Sequence, residues 1–322
     1  MIARGALTAA CALAGLVAST VGCATDARPS SAVAGVTDVP ATPSPAIITS
    51  LPATPTAFAP MPQPTESQTE EFPRGQFSDP VTIDNVWLPL IPGTRWVFKG
   101  SDGVKPSERA EHGVVITITD LTKVIDGVPA VVAYDQDFEE GDLVEAELAF
   151  FAQADNGTVW QLGEYPEEYE DGALVEAPTW IAGLRDAKAG IMMKADPQVG
   201  GPSYSEGWGP EVGWTDRGRV FEVNSRTCVP AGCYENVLII DEYNPDEPDA
   251  HQLKYYAPGV GNVRVGWAGA LESNHEELEL VSVGLLSADE LAVVRSAALA
   301  LEAHAYETSP DVYGRTQPAT RR

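Results

Sequence analysis

Hydrophobic and polar residues alternate over short runs through the middle of the chain, which is the pattern of half-buried β-strands. Residues 277–283 alternate throughout, and residues 143–150 do so in part. Residues 114–119 are rich in β-branched side chains, which favour strands. The step Asp126-Gly127 lies between two strand-like runs and predicts a hairpin. We expect a mainly β fold of about ten strands, arranged as one antiparallel meander, sandwich or partly open barrel.

Two later segments depart from this alternation. Residues 181–202 lack strand character, so we interpret them as a loop that crosses one end of the sheet. Ser287 and Glu290 form a capping-box pattern, which predicts the start of a helix. An apolar stripe at helical spacing follows the cap, at Leu291, Val294, Ala298, Leu301 and Ala305. The stripe predicts a C-terminal helix that packs on the β domain.

The beginning of the chain has the pattern of an export signal. Arg4 precedes an apolar run over residues 6–17, and small residues then lead to Cys23. The run is shorter than a membrane span, which needs about 20 residues. The segment resembles the lipobox of bacterial lipoproteins, in which the cysteine is lipidated and becomes the new N-terminus. We expect Cys23 to anchor the chain to the outer face of the cytoplasmic membrane, and an ordinary signal cut near Ala18 is the alternative.

Composition separates the anchor from the β domain. Prolines interleaved with Ser, Thr and Ala favour extended conformations and bury nothing, which predicts a disordered tether. The expected organisation is a signal peptide (1–22), a tether (23–71), an antiparallel β domain (72–286), a C-terminal helix (287–306) and a flexible tail (307–322).

Charge limits the possible partners of the chain. There are 20 Lys and Arg residues against 47 Asp and Glu residues, for a net charge of −27. A surface this acidic repels phosphate backbones, so nucleic acid is excluded as a partner. The same field attracts cations and basic partners.

The four cysteines agree with export. Cys11 leaves with the signal and Cys23 carries lipid, so Cys228 and Cys233 remain. Turn residues separate these two, and an oxidising compartment favours a disulfide between them. Zinc is the alternative, but a structural zinc site needs four ligands and the nearby sequence supplies no others.

The sequence carries no recognisable catalytic motif. The four histidines have no paired metal-ligand spacing, and no nucleophile elbow is present. We therefore expect no catalytic residues, no enzymatic activity and no cofactor. Calcium is the one alternative cofactor, because Asp135, Asp137 and Glu139 place hard oxygen ligands near a turn. On a strand these three would share one face, where water would solvate them.

Three segments in order, at residues 87–98, 151–160 and 254–261, resemble a group of secreted or lipid-anchored actinobacterial proteins. The resemblance extends from Phe77 to Val283. It implies an extracytoplasmic, mostly β domain without a known activity, and it supplies no catalytic residues.

Two functions from different classes follow from these observations. The first is a non-enzymatic cell-surface lipoprotein whose β domain binds a small apolar ligand or an envelope partner, because ligand pockets favour aromatic linings. The aromatic residues that could line such a pocket are Trp87, Trp96, Trp160, Trp180, Trp208 and Trp214. The second is an envelope assembly protein that acts through its acidic surface. An unidentified hydrolase is third, and the oligomeric state is not predicted.

Overall fold

The structure is a computed structural model that describes residues 68–103, 109–247 and 249–322. This part of the chain is mainly β, and its strands pair antiparallel in one open sheet of 16 strands. The strands are, in chain order, β1 (Thr94–Asp102), β2 (Ala110–Ile125), β3 (Val128–Glu139), β4 (Asp142–Gln153), β5 (Val159–Glu170), β6 (Ala173–Glu176), β7 (Trp180–Ile181), β8 (Lys188–Met193), β9 (Tyr204–Ser205), β10 (Gly207–Trp208), β11 (Arg217–Val229), β12 (Gly232–Tyr243), β13 (His251–Ala257), β14 (Gly261–Ala268), β15 (Glu277–Leu285) and β16 (Thr320–Arg321). A helix, α1 (Ala288–Thr308), and a 3₁₀ turn (Tyr313–Arg315) lie between β15 and β16. The predicted fold class is confirmed.

Tight turns join many neighbouring strands. Asp126 and Gly127 both have positive φ, at 48° and 82°, which is the geometry of a type I′ turn. Ile125 and Val128 pair directly on either side of that turn. The hairpin predicted from Asp-Gly is therefore confirmed.

The sheet curls back on itself. Its order is β10-β8-β5-β4-β3-β2-β1-β15-β14-β13-β12-β11-β9. The two edge strands, β9 and β10, are separated in sequence by Glu206 alone, and they pair with β11 and β8 respectively. The two edges of the sheet thus meet on consecutive residues, which gives the sheet an inner and an outer face.

The strand β8 corrects the sequence analysis. Residues 181–202 were expected to form a loop, but residues 188–193 pair with β5 and β10. Gly190 shows why the pattern is misleading. A Cβ at this position would lie 2.2 Å from the backbone of Glu206 and Gly207, so the close approach of the two edges requires glycine. Glycine weakens an isolated strand, and here tertiary packing overrides that preference.

One half of the inner face is apolar and filled with side chains. Trp96, Phe98, Ile116, Phe151 and Ile240 belong to one buried cluster that draws on strands around the whole curve of the sheet. Because a buried aliphatic or aromatic side chain contributes about 1.5–3 kcal/mol, this cluster is a main source of stability.

The segment before β1 covers this apolar end. Ile83, Leu88 and Leu90 enter the same buried cluster. The Gly259 N–H donates to the Val86 carbonyl at 2.7 Å, which fastens the segment to the turn between β13 and β14. Because the apolar half is filled and covered, the polar side chains of the inner face lie in its opposite half.

The outer face packs against α1. The Ser287 side chain caps the helix, and the Ser287 backbone N–H donates to the Glu290 carboxylate at 2.8 Å, as the capping box predicts. The predicted stripe is buried at Val294, Ala298, Leu301 and Ala305, whereas Leu291 is half-buried.

A buried ion pair lies between α1 and the sheet. The Lys123 ammonium on β2 donates to Glu302 at 2.7 Å and to the Gln317 carbonyl at 2.7 Å. Beyond the helix, Tyr313 is fully buried and β16 pairs with β2. The residues interpreted from sequence as a flexible tail, 307–322, therefore pack on the outer face in the structure.

Candidate functional site

The inner face changes from apolar to acidic along each strand. On β3, Val131 and Ala133 belong to the inner apolar cluster. Asp135 and Asp137 follow at the same alternation, so their side chains lie on the same face. Asp135 pairs with Ile116 on one side, and Ile116 is itself a member of the inner cluster.

Neighbouring strands repeat this change. On β4, Glu147 lies directly opposite Asp135, and Glu145 lies opposite Asp137. On β5, Glu164 pairs with Ala149 of the inner cluster. We call the resulting group the inner acidic cluster, and it consists of Asp135, Asp137, Glu145, Glu147, Glu164, Glu206, Glu242 and Glu276.

Among the described residues, two basic side chains reach the inner acidic cluster. His112 lies between Asp137 and Glu276, at 3.6 Å and 3.1 Å. Lys254 forms an ion pair with Glu242 at 2.5 Å. Both bases are almost fully buried, so each is held by the carboxylate beside it.

Several buried polar atoms of this region have no hydrogen-bond partner among the described residues, including the indole nitrogens of Trp180 and Trp214. Three of them lie on carboxyl and hydroxyl groups. Among the described residues, Glu147 Oε1, Glu206 Oε1 and the Tyr204 hydroxyl have no hydrogen-bond partner. These residues are only 2 %, 3 % and 2 % exposed. A buried polar group without a partner costs about 1–3 kcal/mol, so native proteins rarely keep several together without a reason.

Glu206 and Tyr204 come together because of a glycine. Gly218 on β11 lies opposite both Tyr204 and Glu242. A Cβ at Gly218 would lie 2.4 Å from Glu206 Oε1 and 2.8 Å from the Tyr204 ring. The missing side chain at position 218 therefore makes room for the two polar groups.

Burial changes the protonation of these carboxyl groups. It raises the pKa of Glu164 to about 8, although the hydrogen bond that Gln161 donates to Glu164 at 2.9 Å opposes the rise. Burial, followed by repulsion from Glu164, raises the pKa of Glu147 well above its usual range. Burial and the charge of Glu242 do the same for Glu206. Near neutral pH Glu164 therefore holds a proton, which a bound positive charge would displace.

The pKa of His112 is raised, which favours its charged form. Burial alone would lower its pKa, but the carboxylates of Asp137 and Glu276, 3.6 Å and 3.1 Å away, outweigh burial and raise the pKa to about 10. The histidine is therefore a fixed positive charge at one side of the cluster.

Aromatic rings border the inner acidic cluster. Trp180 pairs across the sheet with Glu164 and stacks on Trp214, with ring centroids 6.2 Å apart. Tyr204 and Tyr256 are buried and lie within the electrostatic reach of Glu206 and Glu242. The cluster thus combines carboxyl groups with π faces.

The six tryptophans proposed from sequence do not line one common space. Trp87 and Trp96 pack at the apolar half of the inner face. Trp160 lies on the outer face, where it meets Phe72 at 5.2 Å between ring centroids. Trp180 and Trp214 adjoin the inner acidic cluster, and Trp208 forms part of the edge strand β10.

The three residues proposed as calcium ligands also differ in their positions. Asp135 and Asp137 share the inner face as their spacing predicts, but Asp135 is 3 % exposed, so water does not solvate it as expected. Glu139 lies at the end of β3 and is half-buried. In the described part of the chain, no group of three or more His, Cys, Asp or Glu side chains is arranged to hold a metal ion. Calcium binding stays a prediction.

The predicted disulfide between Cys228 and Cys233 is confirmed. The two residues are directly opposite each other near the turn between β11 and β12. The Ala231 N–H at this turn donates to the Leu280 carbonyl at 2.9 Å, so the disulfide closes a hairpin end that rests on β15.

The proposed lipidation site, Cys23, lies outside the described residues, as do the signal peptide and most of the tether. Across residues 68–103, 109–247 and 249–322, no helix combines the length and the apolar character that a membrane crossing requires.

Comparison with known proteins leaves the family open. No protein-family model matches the sequence, and no curated protein is significantly similar to it. A candidate exported protein with a YmcC-like fold from Bacteroides fragilis NCTC 9343 superposes with a TM-score of 0.38 at 12 % identity, covering 62 % of this chain and 99 % of the other. A candidate lipoprotein from Parabacteroides distasonis ATCC 8503 superposes with a TM-score of 0.34 at 13 % identity, with the same coverage. Likeness at this level carries no argument about function, and the actinobacterial resemblance stays a prediction.

The inner acidic cluster is the main feature that the sequence analysis missed. A usable signal was present, because Asp135 and Asp137 have the same alternation as Val131 and Ala133. When acidic residues occupy the same alternate positions of a strand as the apolar residues, their side chains lie on the buried face.

Proposed function

We propose that this chain is a lipid-anchored, extracytoplasmic binding protein that takes up a small polar molecule at the inner acidic cluster. The observation that carries the proposal is the set of buried atoms Glu147 Oε1, Glu206 Oε1 and the Tyr204 hydroxyl. Among the described residues they have no hydrogen-bond partner, and a ligand would supply one.

The sheet supports this function by its construction. Its apolar half is filled by Phe98, Phe151 and their neighbours, so an apolar molecule would have to displace packed side chains. On the acidic half, Glu147 and Glu164 lie on the long strands β4 and β5, and a site on such strands holds its geometry better than a site on loops. A polar ligand therefore fits this site better than the apolar ligand expected from sequence.

The export signal supports the location. A lipid on Cys23 and the tether over residues 23–71 would hold the domain outside the cell, where small solutes arrive by diffusion. The test is a Cys23→Ser variant, which should leave the membrane fraction. A variant that is processed and fractionated like the wild type would contradict the anchoring.

Binding is tested separately by thermal shift with three probes: the diamine cadaverine, the neutral diol 1,5-pentanediol and the apolar dye N-phenyl-1-naphthylamine. At least one polar probe should raise the Tm of the wild type and not that of Glu147→Gln or Glu206→Gln. The matched control is Glu307→Gln, because Glu307 is exposed on α1. Failure of both polar probes at millimolar concentration would overturn the proposed binding function.

A further inference from the structure

Resting on the proposed function, we infer that the ligand of the inner acidic cluster is a small organic cation carrying an ammonium or guanidinium group. This assigns a chemical class to the binding site, and four features of the site lead to it.

The first feature is the imbalance of charge. His112 is engaged by Asp137 and Glu276, and Lys254 is engaged by Glu242. Glu147, Glu164 and Glu206 are equally buried. The charge of Lys254 acts on Glu164 and Glu206, but none of the three carboxyl groups forms a close ion pair with another described residue. A positively charged ligand would supply an ion-pair partner to these three carboxyl groups, because buried carboxylates are stable when they are paired and hydrogen-bonded.

The second feature is the crowding of carboxyl groups. Burial and the neighbouring charge of Glu164 raise the pKa of Glu147, and burial and the charge of Glu242 raise the pKa of Glu206 against the opposing charge of Lys254. A neutral polyol would exchange hydrogen bonds with these groups but would not favour their ionised form. A cation favours that form, and each N–H of an ammonium or guanidinium is a donor for an acceptor oxygen.

The third feature is aromatic. Trp180, Tyr204 and Tyr256 are buried beside these carboxyl groups. The π face of an aromatic ring attracts an organic cation, and a combination of aromatic rings and carboxylates is a recurrent way to bind one. A bare metal ion would use the carboxylates but gain little from the rings.

The fourth feature is access. Asp137, Glu139, Glu145 and Glu168 lie towards the strand ends on the acidic half of the inner face, and all are partly exposed. With a net charge of −27 on the whole chain, the field near this rim concentrates cations and speeds their arrival.

The test is isothermal titration of the full-length protein with cadaverine and with 1,5-pentanediol, which differ only in amine against hydroxyl ends. Cadaverine should bind at one site, at least tenfold more tightly than the diol. Glu147→Gln and Glu206→Gln should each weaken cadaverine at least tenfold. Glu307→Gln removes the same charge from the exposed surface and should change the affinity less than twofold.

A measurement on the wild type alone guards against misfolded variants. Entry of a cation should release protons from the buried carboxyl groups, so the heat of cadaverine binding should differ between phosphate and Tris buffers by the ionisation enthalpy of the buffer. Equal heats in both buffers would overturn the inference.

The remaining outcomes separate this inference from the binding function. If the diol binds as tightly as cadaverine, the ligand class is wrong while the binding function stands. If Ca²⁺ binds at the same residues and excludes cadaverine, the site is a metal site and the inference falls. If neither cadaverine nor the diol binds, both the inference and the binding function fail.

Discussion

The ion pair between Lys123 and Glu302 makes a quantitative prediction about stability. The Lys123 side chain is fully buried and the Glu302 side chain is 6 % exposed. Lys123→Met removes one partner and leaves a buried carboxylate, which typically costs about 3–5 kcal/mol. Glu302 would still accept the Ala319 N–H at 3.0 Å and the Tyr313 hydroxyl at 3.3 Å. Because these two bonds remain, we expect the lower end, about 3 kcal/mol.

The assay is urea unfolding followed by tryptophan fluorescence, with the free energy of unfolding obtained by linear extrapolation. The control is Lys99→Met, because Lys99 is 63 % exposed and 3.5 Å from Glu111. That exposed pair should be worth at most about 1 kcal/mol. The double variant Lys123→Met/Glu302→Leu should recover at least half of the loss, since it leaves no buried charge. A Lys123→Met variant as stable as the Lys99→Met control would refute the reasoning.

Three further predictions concern the hairpin disulfide, the edge contact and the buried acids. Replacing Cys228 and Cys233 with serine should lower the free energy of unfolding by about 2 kcal/mol, because the closed loop is short, and unchanged urea curves would contradict this. Gly218→Ala should destabilise by about 1–3 kcal/mol through overpacking against Glu206 and Tyr204, while Gly284→Ala, with open space around it, should show a much smaller change in Tm. Glu164 has a folded pKa of about 8 against 4.5, so its contribution is fully present below pH 4.5 and is lost as the pH rises through 8; stability should fall over this window, and Glu164→Gln should show a shallower fall in a series of melts.

Local patterns were enough to predict many of the long strands, the hairpin at Asp126-Gly127 and the capped helix, although the expected count of about ten strands falls short of the 16 in the structure. These features depend on contacts between residues that are near in sequence. The turn needs positive φ at Gly127, and the cap needs only Ser287 and Glu290. Such requirements leave a direct mark on the sequence.

The curvature of the sheet, in contrast, produces no local sequence pattern. β8 pairs with β5 and meets the backbone at Glu206, and the small residues that permit this contact resemble loop residues in sequence. The packing of Tyr313 likewise depends on Glu302 and Tyr165, its distant neighbours. β8 and the position of Tyr313 depend on contacts between residues far apart in sequence, and a single sequence does not reveal such contacts.

The site was partly predictable. Alternation places Asp135 and Asp137 on one face of the strand. Whether their side chains are exposed to solvent or buried depends on the elements that cover that face. Strands β4 and β5 contribute Glu147 and Glu164, and Glu206 comes from the residue between β9 and β10. Strand register and the meeting of the two sheet edges bring these acids together.

The meeting of both sheet edges at residues 204–208 has a consequence for how the molecule opens. Two-residue strands hold each edge with few hydrogen bonds, so local parting at this seam costs far less than unfolding of the long strands. Glu206 lies at the middle of the seam, between the two edge strands. Local opening of the seam would therefore move the Glu206 carboxylate, so the segment that holds the two sheet edges together also controls the position of one acid of the inner acidic cluster.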